Sequence, residues 1–68
     1  MVNTQLLEEK IKKSGLRVDY LIETLGISHT AYYKKKDNKT PFRAAEVYVL
    51  CDLLNIRDDN EKHEIFNT

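Results

Sequence analysis

Two glycines divide the first part of this 68-residue chain into segments that each have the length of a short helix. Apolar residues recur at helical spacing before each glycine: Leu7 and Ile11 before Gly15, and Val18, Leu21, Ile22 and Leu25 before Gly26. Because glycine commonly ends a helix in a left-handed conformation, we expect helices over about Thr4 to Ser14 and about Val18 to Leu25. Helices this short are unstable alone, so the chain must pack several of them around one core.

A third helix is expected almost directly after the second. Ser28 stands two residues beyond Gly26 and is a preferred N-cap, whose oxygen would accept a hydrogen bond from the N–H of Thr30 or Ala31. The connection is too short for anything but a tight corner. The helix would run from about His29 to Asp37.

The third segment is polar on nearly every face, except at Ala31 and Tyr32. A polar helix of this length depends on its neighbours for stability, so we expect it at the surface. Tyr32 is predicted to belong to the core and Tyr33 to face outward.

The rest of the chain predicts one or two further helices. Asn38 suits a left-handed helix end, and Thr40-Pro41 indicates a turn. An apolar stripe then predicts a fourth helix, with members Phe42, Val47, Leu50, Cys51 and Leu54. The run Asp58-Asp59-Asn60-Glu61 favours the start of a short fifth helix that carries Ile65 and Phe66. We therefore expect an all-α fold, a compact bundle of four to five short helices in a single domain over residues 1–68.

Several classes of function find no support in the residues. Cys51 is the only cysteine, which excludes an internal disulfide, and His29 and His63 are too far apart for a zinc motif. No catalytic constellation or Gly-rich phosphate loop is present, and we expect a bundle this small to leave no pocket of several hundred cubic ångströms. We therefore expect no enzyme activity, no cofactor and no small-molecule ligand. No apolar run has the length of a signal peptide or membrane span, so we expect a cytoplasmic protein without a membrane partner.

The formal net charge of zero conceals an uneven distribution. Residues 1–43 contain nine Lys and Arg against five Asp and Glu, whereas residues 44–68 contain two against six. A protein that binds nucleic acid needs positive charge only where it meets phosphate, since exposed charges beyond about 8 to 10 Å are largely screened. A chance division of charge in a short chain is the alternative.

The segment 18–37, with two short helices joined through Leu25-Gly26-Ile27-Ser28, resembles a helix-turn-helix. Over nearly its whole length the chain resembles the Cro and lambda-repressor-like helix-turn-helix family, in particular short regulators of phages and prophages of Gram-positive bacteria. The resemblance is carried by the runs Leu21-Ile22-Glu23-Thr24-Leu25-Gly26-Ile27-Ser28, Phe42-Arg43-Ala44-Ala45-Glu46-Val47 with Leu50 and Leu54, and Glu64-Ile65-Phe66. It implies a transcriptional regulator, Cro-like or repressor-like, whose third helix enters the major groove of a double-stranded DNA operator.

The chain departs from the family pattern at three places. Ile22 stands where the family usually has a small residue, and must push the helices apart or be absorbed by repacking. Arg17 and Val18 replace a capping Thr and a Gln that can touch the DNA backbone in relatives. Lys35 or Lys36 replaces an apolar residue, so a lysine stem is expected over the core edge with its ammonium in water.

The resemblance also implies roles for individual residues. His29 and Thr30 match positions that face the bases, with Tyr33 and Lys34 one turn further on. Phosphate contacts are expected from Ser28, Lys36, Lys39 and Arg43. Because successive helical residues are about 100° apart, the three consecutive lysines cannot all meet DNA. A solvated lysine face and an ordinary exposed histidine are the alternatives.

The sequence leaves two possibilities open for the oligomeric state and for the partner. Tyr48 and Val49 fall off the apolar stripe of the fourth helix and, together with Ile65 and Phe66, suggest a homodimer contact that would pair two third helices on a near-palindromic operator. The alternative is that these side chains cover a small core. A module that binds a partner regulator protein instead of DNA is another possibility. It would be consistent with the missing cap at Arg17, the large residue Ile22 and the zero net charge.

Overall fold

The computed structural model describes residues 1–67, and Thr68, the last residue of the predicted domain, lies outside the described residues. Over residues 1–67 the chain is all-helical, which confirms the predicted fold class. The helices are α1 (Thr4–Ser14), α2 (Val18–Leu25), α3 (His29–Lys36), α4 (Ala44–Leu53) and α5 (Asp59–Phe66). The fourth begins later than its apolar stripe, because Phe42 precedes the helix and Arg43 is its N-cap.

Three residues in the loops between the helices have the left-handed conformation that the sequence predicts. Gly15 and Gly26 are left-handed, with φ of 74° and 71°. Asn38 is also left-handed, with φ of 65°. The hydroxyl of Ser28 accepts a hydrogen bond from the N–H of Ala31 at 3.0 Å. The corner between α2 and α3 is therefore specified by two neighbouring local signals, a left-handed glycine and an N-cap.

Replacing Gly26 by alanine should lower the free energy of unfolding by about 1 to 2 kcal/mol, because an L-residue pays for the left-handed conformation. A Cβ at Gly26 would meet nothing within 4 Å, so the cost comes from the backbone alone. Gly26→Asn is the control, since asparagine tolerates this conformation, and it should cost less. Urea unfolding measures both. Equal stability of the alanine variant and wild type would show that the corner does not need a left-handed residue.

The core lies between two pairs of helices, because α1 packs against α5 and α2 against α4. Its buried members are Leu7, Ile11, Leu21, Val47, Leu50, Leu54, Ile56, Ile65 and Phe66. Ile22 is also buried, at 3% exposure, so its extra volume has been absorbed into the interior. Among the described residues, α3 contributes no member to this cluster, which leaves it as an outer element of the bundle.

The prediction that Ile65 and Phe66 form part of a dimer surface is wrong. Both side chains are 3% exposed and belong to the core. The ring of Phe66 packs edge-on against that of Phe42, with centroids 6.1 Å apart. The reason is that α5 packs against α1 and directs its C-terminal residues into the core. The other two residues of the predicted dimer contact are more accessible: Tyr48 is 76% exposed and Val49 is half-buried.

Candidate nucleic-acid interface

The outward face of α3 is formed by the four residues predicted to contact bases. His29, Thr30, Tyr33 and Lys34 are all exposed. Their spacing places them on one side of a helix. Together with Asp37 and Lys39 they line an open concavity of about 340 Å³. The structure thus brings the predicted base contacts and one predicted phosphate contact onto a single surface, which we call the α3 face.

The opposite side of α3 is held by Tyr32. This side chain is 1% exposed, and it is the buried residue of the helix. Its ring meets that of Tyr33 edge-on at 5.2 Å between centroids. Burial, together with the neighbouring Tyr33 and Glu8, raises the pKa of Tyr32 to about 12, so its hydroxyl is neutral at physiological pH. The predictions that Tyr32 is internal and Tyr33 external are confirmed.

The side chains of the three consecutive lysines of α3 lie in three different environments. The Lys35 ammonium donates to both carboxylate oxygens of Glu46 at 2.6 Å. The Lys36 ammonium lies 3.5 Å from a carboxylate oxygen of Glu8 and 4.9 Å from the centre of the Tyr33 ring. Within residues 1–67, Lys34 forms no salt bridge and is exposed on the α3 face.

Two predictions about these lysines are therefore corrected. The ammonium groups of Lys35 and Lys36 do not extend freely into water, because each is paired with a carboxylate. The predicted phosphate contact of Lys36 does not fit either, since its side chain is only 17% exposed and lies toward α1. The geometry leaves Lys34 as the lysine of α3 that is available to a ligand.

Glu46 connects the end of α3 to the start of α4. Its carboxylate accepts the backbone N–H of Arg43 at 2.8 Å, in addition to the Lys35 ammonium. Burial alone would raise the pKa of Glu46, but the hydrogen bonds from Lys35 and Arg43 and the charges of both residues lower it below its ordinary value. Glu46 is thus an anion at neutral pH that fixes the position of α3.

The other predicted phosphate contacts lie at the two ends of α3. Ser28 is exposed at the N-terminal end, although its hydroxyl is already the N-cap. Lys39 is held at the other end, because its N–H donates to the carbonyl of Lys34 at 2.8 Å. Arg43 follows as the exposed N-cap of α4. Neither Lys39 nor Arg43 forms a salt bridge in the described part of the chain.

A carboxylate from α2 also borders the α3 face. Nε2 of His29 lies 3.2 Å from Oδ1 of Asp19, and both side chains are exposed. The pair ties the first turn of α2 to the first turn of α3. Arg17, the N-cap of α2, makes no capping hydrogen bond through its side chain, as the departure from the family pattern predicted.

Sequence reasoning missed three residues that shape this surface: Asp19, Asn38 as a side-chain partner, and Glu46. Each acts on a residue 10 to 36 positions away in the chain. Helical spacing reports only on neighbours three or four residues apart, so no local pattern marks these pairs.

The expectation that the bundle leaves no pocket of several hundred cubic ångströms is wrong. An open groove of about 540 Å³ lies between α1 and α3, lined by Ile11, Leu16, Val18, Tyr32 and Tyr33 among others. Within residues 1–67, no group of three or more His, Cys, Asp or Glu side chains is placed to hold a metal ion. The described helices are also all too short or too polar to cross a membrane.

Comparison with known proteins adds no relative: no family model, curated protein or solved structure matches this chain. The resemblance to the Cro and lambda-repressor-like family remains a prediction from the sequence runs quoted above.

Proposed function

We propose that this protein binds double-stranded DNA sequence-specifically, with α3 in the major groove, and thereby regulates transcription. The observation that carries the proposal is the α3 face, on which four exposed side chains able to contact bases share one side of a surface helix. An α-helix with its side chains is about 10 to 12 Å across, which fits a major groove about 12 Å wide. Lys34, Lys39 and Arg43, which form no salt bridge within residues 1–67, lie on this helix or on the loop that follows it.

In this proposal, some side chains contact bases and others contact phosphates. His29 and Thr30, in the first turn, contact base edges, because the N-terminal end of a recognition helix enters the groove first. Tyr33 and Lys34 lie one turn further along the same side. Lys39 and Arg43 contact phosphates, with Ser28 at the other end of the helix. Phosphate contacts supply affinity and orientation, and base contacts supply specificity.

A homodimer is part of the proposal. Tyr48, which exposes 76% of its surface on α4, and the half-buried Val49 beside it would form the contact. A two-fold dimer would present two α3 helices about 34 Å apart, the spacing of successive major grooves. The bound DNA would then carry two inverted half-sites.

A second candidate function is binding to another regulator protein. Two observations favour it: Lys35 and Lys36 are neutralised by carboxylates, and Asp19 and Asp37 lie beside the α3 face. Selection from a random duplex pool separates the two functions. DNA binding predicts an enriched motif, whose symmetry reports the dimer, and a slope near −0.9 per neutralised phosphate in a log–log plot of affinity against salt. Recovery of no motif would overturn the DNA proposal.

Lys34→Ala should weaken binding to the selected duplex, whereas substitution of His29 or Thr30 should alter base preference by about 1 to 3 kcal/mol at one base pair. Arg57→Ala is the matched control for loss of one positive charge. Arg57 is exposed in the loop between α4 and α5, and its only salt bridge in the described chain is a 3.8 Å contact with Asp52. Gel shifts at fixed salt measure all the variants. Equal losses from Lys34→Ala and Arg57→Ala would contradict the assignment.

A further inference from the structure

Residues 2–4 lie against the end of α3, although they are more than thirty positions away in sequence. The N–H of Val2 donates to Oδ1 of Asn38 at 2.7 Å, and Nδ2 of Asn38 donates to the carbonyl of Val2 at 2.9 Å. The Thr4 hydroxyl donates to the carbonyl of Lys36 at 2.6 Å. The amide of Asn38 thus pairs with both backbone groups of one residue, as a neighbouring strand would.

The same residue sets the course of the chain after α3. Asn38 is left-handed, with φ of 65°, and its N–H donates to the carbonyl of Lys35 at 3.2 Å. The next two N–H groups, of Lys39 and Thr40, both donate to the carbonyl of Lys34, at 2.8 and 3.3 Å. Backbone and side chain of Asn38 therefore fix the start of the loop 37–43, which carries Lys39 and Arg43.

The two hydrogen bonds between the Asn38 side chain and the backbone of Val2 are exposed to solvent, so their contribution to the free energy of unfolding is small. They join the start of the loop 37–43 to Val2 at two points. A lysine on a mobile loop loses conformational entropy when it binds a phosphate, and a loop that is already ordered avoids that loss.

We propose that Asn38 is a positioning residue for DNA binding: it fastens the loop 37–43 to the backbone of Val2, so that Lys39 is held in place for a phosphate. The inference rests on the proposed function. Asn38 contacts Val2 and acts on DNA only through Lys39.

Asn38→Gly tests the proposal, because glycine adopts the left-handed φ without strain and removes the side-chain amide, while the backbone freedom that it adds is matched in the control. Asn55→Gly is the matched control. Asn55 is also left-handed, with φ of 57°, and its side chain accepts a hydrogen bond from Arg57 in a different loop. In the free protein, {1H}-15N heteronuclear NOE values of residues 37–41 should fall more in Asn38→Gly than those of residues 53–57 fall in Asn55→Gly, which adds the same backbone freedom to another loop.

On the selected duplex, Asn38→Gly should lower affinity about 5- to 10-fold, whereas Asn55→Gly should change it less than about twofold. In a Lys39→Ala background, Asn38→Gly should cost less than about twofold, since the two residues act as one unit and their effects are not additive.

Unchanged NOE values in residues 37–41 would overturn the fastening of the loop, whatever the protein binds. If Asn38→Gly lowers affinity about 5- to 10-fold in the Lys39→Ala background as well, the link to Lys39 is overturned. Failure of wild type and all variants alike to bind any duplex would overturn the proposed function, and this inference with it.

Discussion

Replacing Tyr32 by alanine is expected to release α3 from the bundle. Truncating a fully buried aromatic side chain costs about 3 to 5 kcal/mol, and a domain of this size has a free energy of unfolding of about 3 to 10 kcal/mol. Tyr32 is the buried residue of α3 and lies outside the core cluster. The loss should therefore fall on α3 first, as a local opening, and leave α1, α4 and α5 packed.

Native-state hydrogen exchange measures this opening helix by helix. In Tyr32→Ala, the amides of α3 should lose protection, whereas those of Leu7, Ile11 and Leu50 should keep most of theirs. Tyr32→Phe is the control, since it keeps the buried ring and should cost less than about 1 kcal/mol. A uniform loss of protection in every helix would show that α3 and the core unfold as one unit. The DNA binding that we propose predicts an affinity equal to the wild-type value multiplied by the docked fraction of α3.

Local signals predicted most of the fold. Gly15 and Gly26 ended α1 and α2 at the observed residues, and Ser28 started α3, because each acts on backbone groups a few residues away. The outward face of α3 was also predictable, since a polar helix of eight residues leaves its polar side in solvent. The sequence alone was sufficient here because cause and effect lie within one turn of helix.

Long-range pairing was not predictable in the same way. Lys35 and Lys36 have nearly the same sequence context, yet one reaches α4 and the other α1. Ile65 and Phe66 suggested an exposed pair, because a short fifth helix with few apolar residues does not reveal which side meets the bundle. Both outcomes depend on how the helices pack, and spacing along a single helix does not contain that information.

Glu46→Gln is expected to lower the free energy of unfolding at pH 7 by about 2 to 3 kcal/mol, because a half-buried lysine loses its carboxylate partner. Gln can still accept the Arg43 N–H, so the substitution isolates the Lys35 pair from the cap at the start of α4. Glu8→Gln is the matched control. It breaks the Lys36 pair, in which the Glu8 side chain is 56% exposed, and should cost less than about 1 kcal/mol.

The effect of Glu46→Gln should depend on pH with a definite sign. Folding lowers the pKa of Glu46 below its ordinary value of 4.5, so the unfolded state binds the proton more readily. The stabilisation is therefore fully present above about pH 5 to 6 and is lost as the pH falls through the lowered pKa of the folded state. The other carboxylates titrate in wild type and variant alike and cancel in the difference. Chemical unfolding from pH 7 to pH 3 should show the two proteins converging in stability, and a difference that stays constant would mean that the Lys35–Glu46 pair does not hold α3 in place.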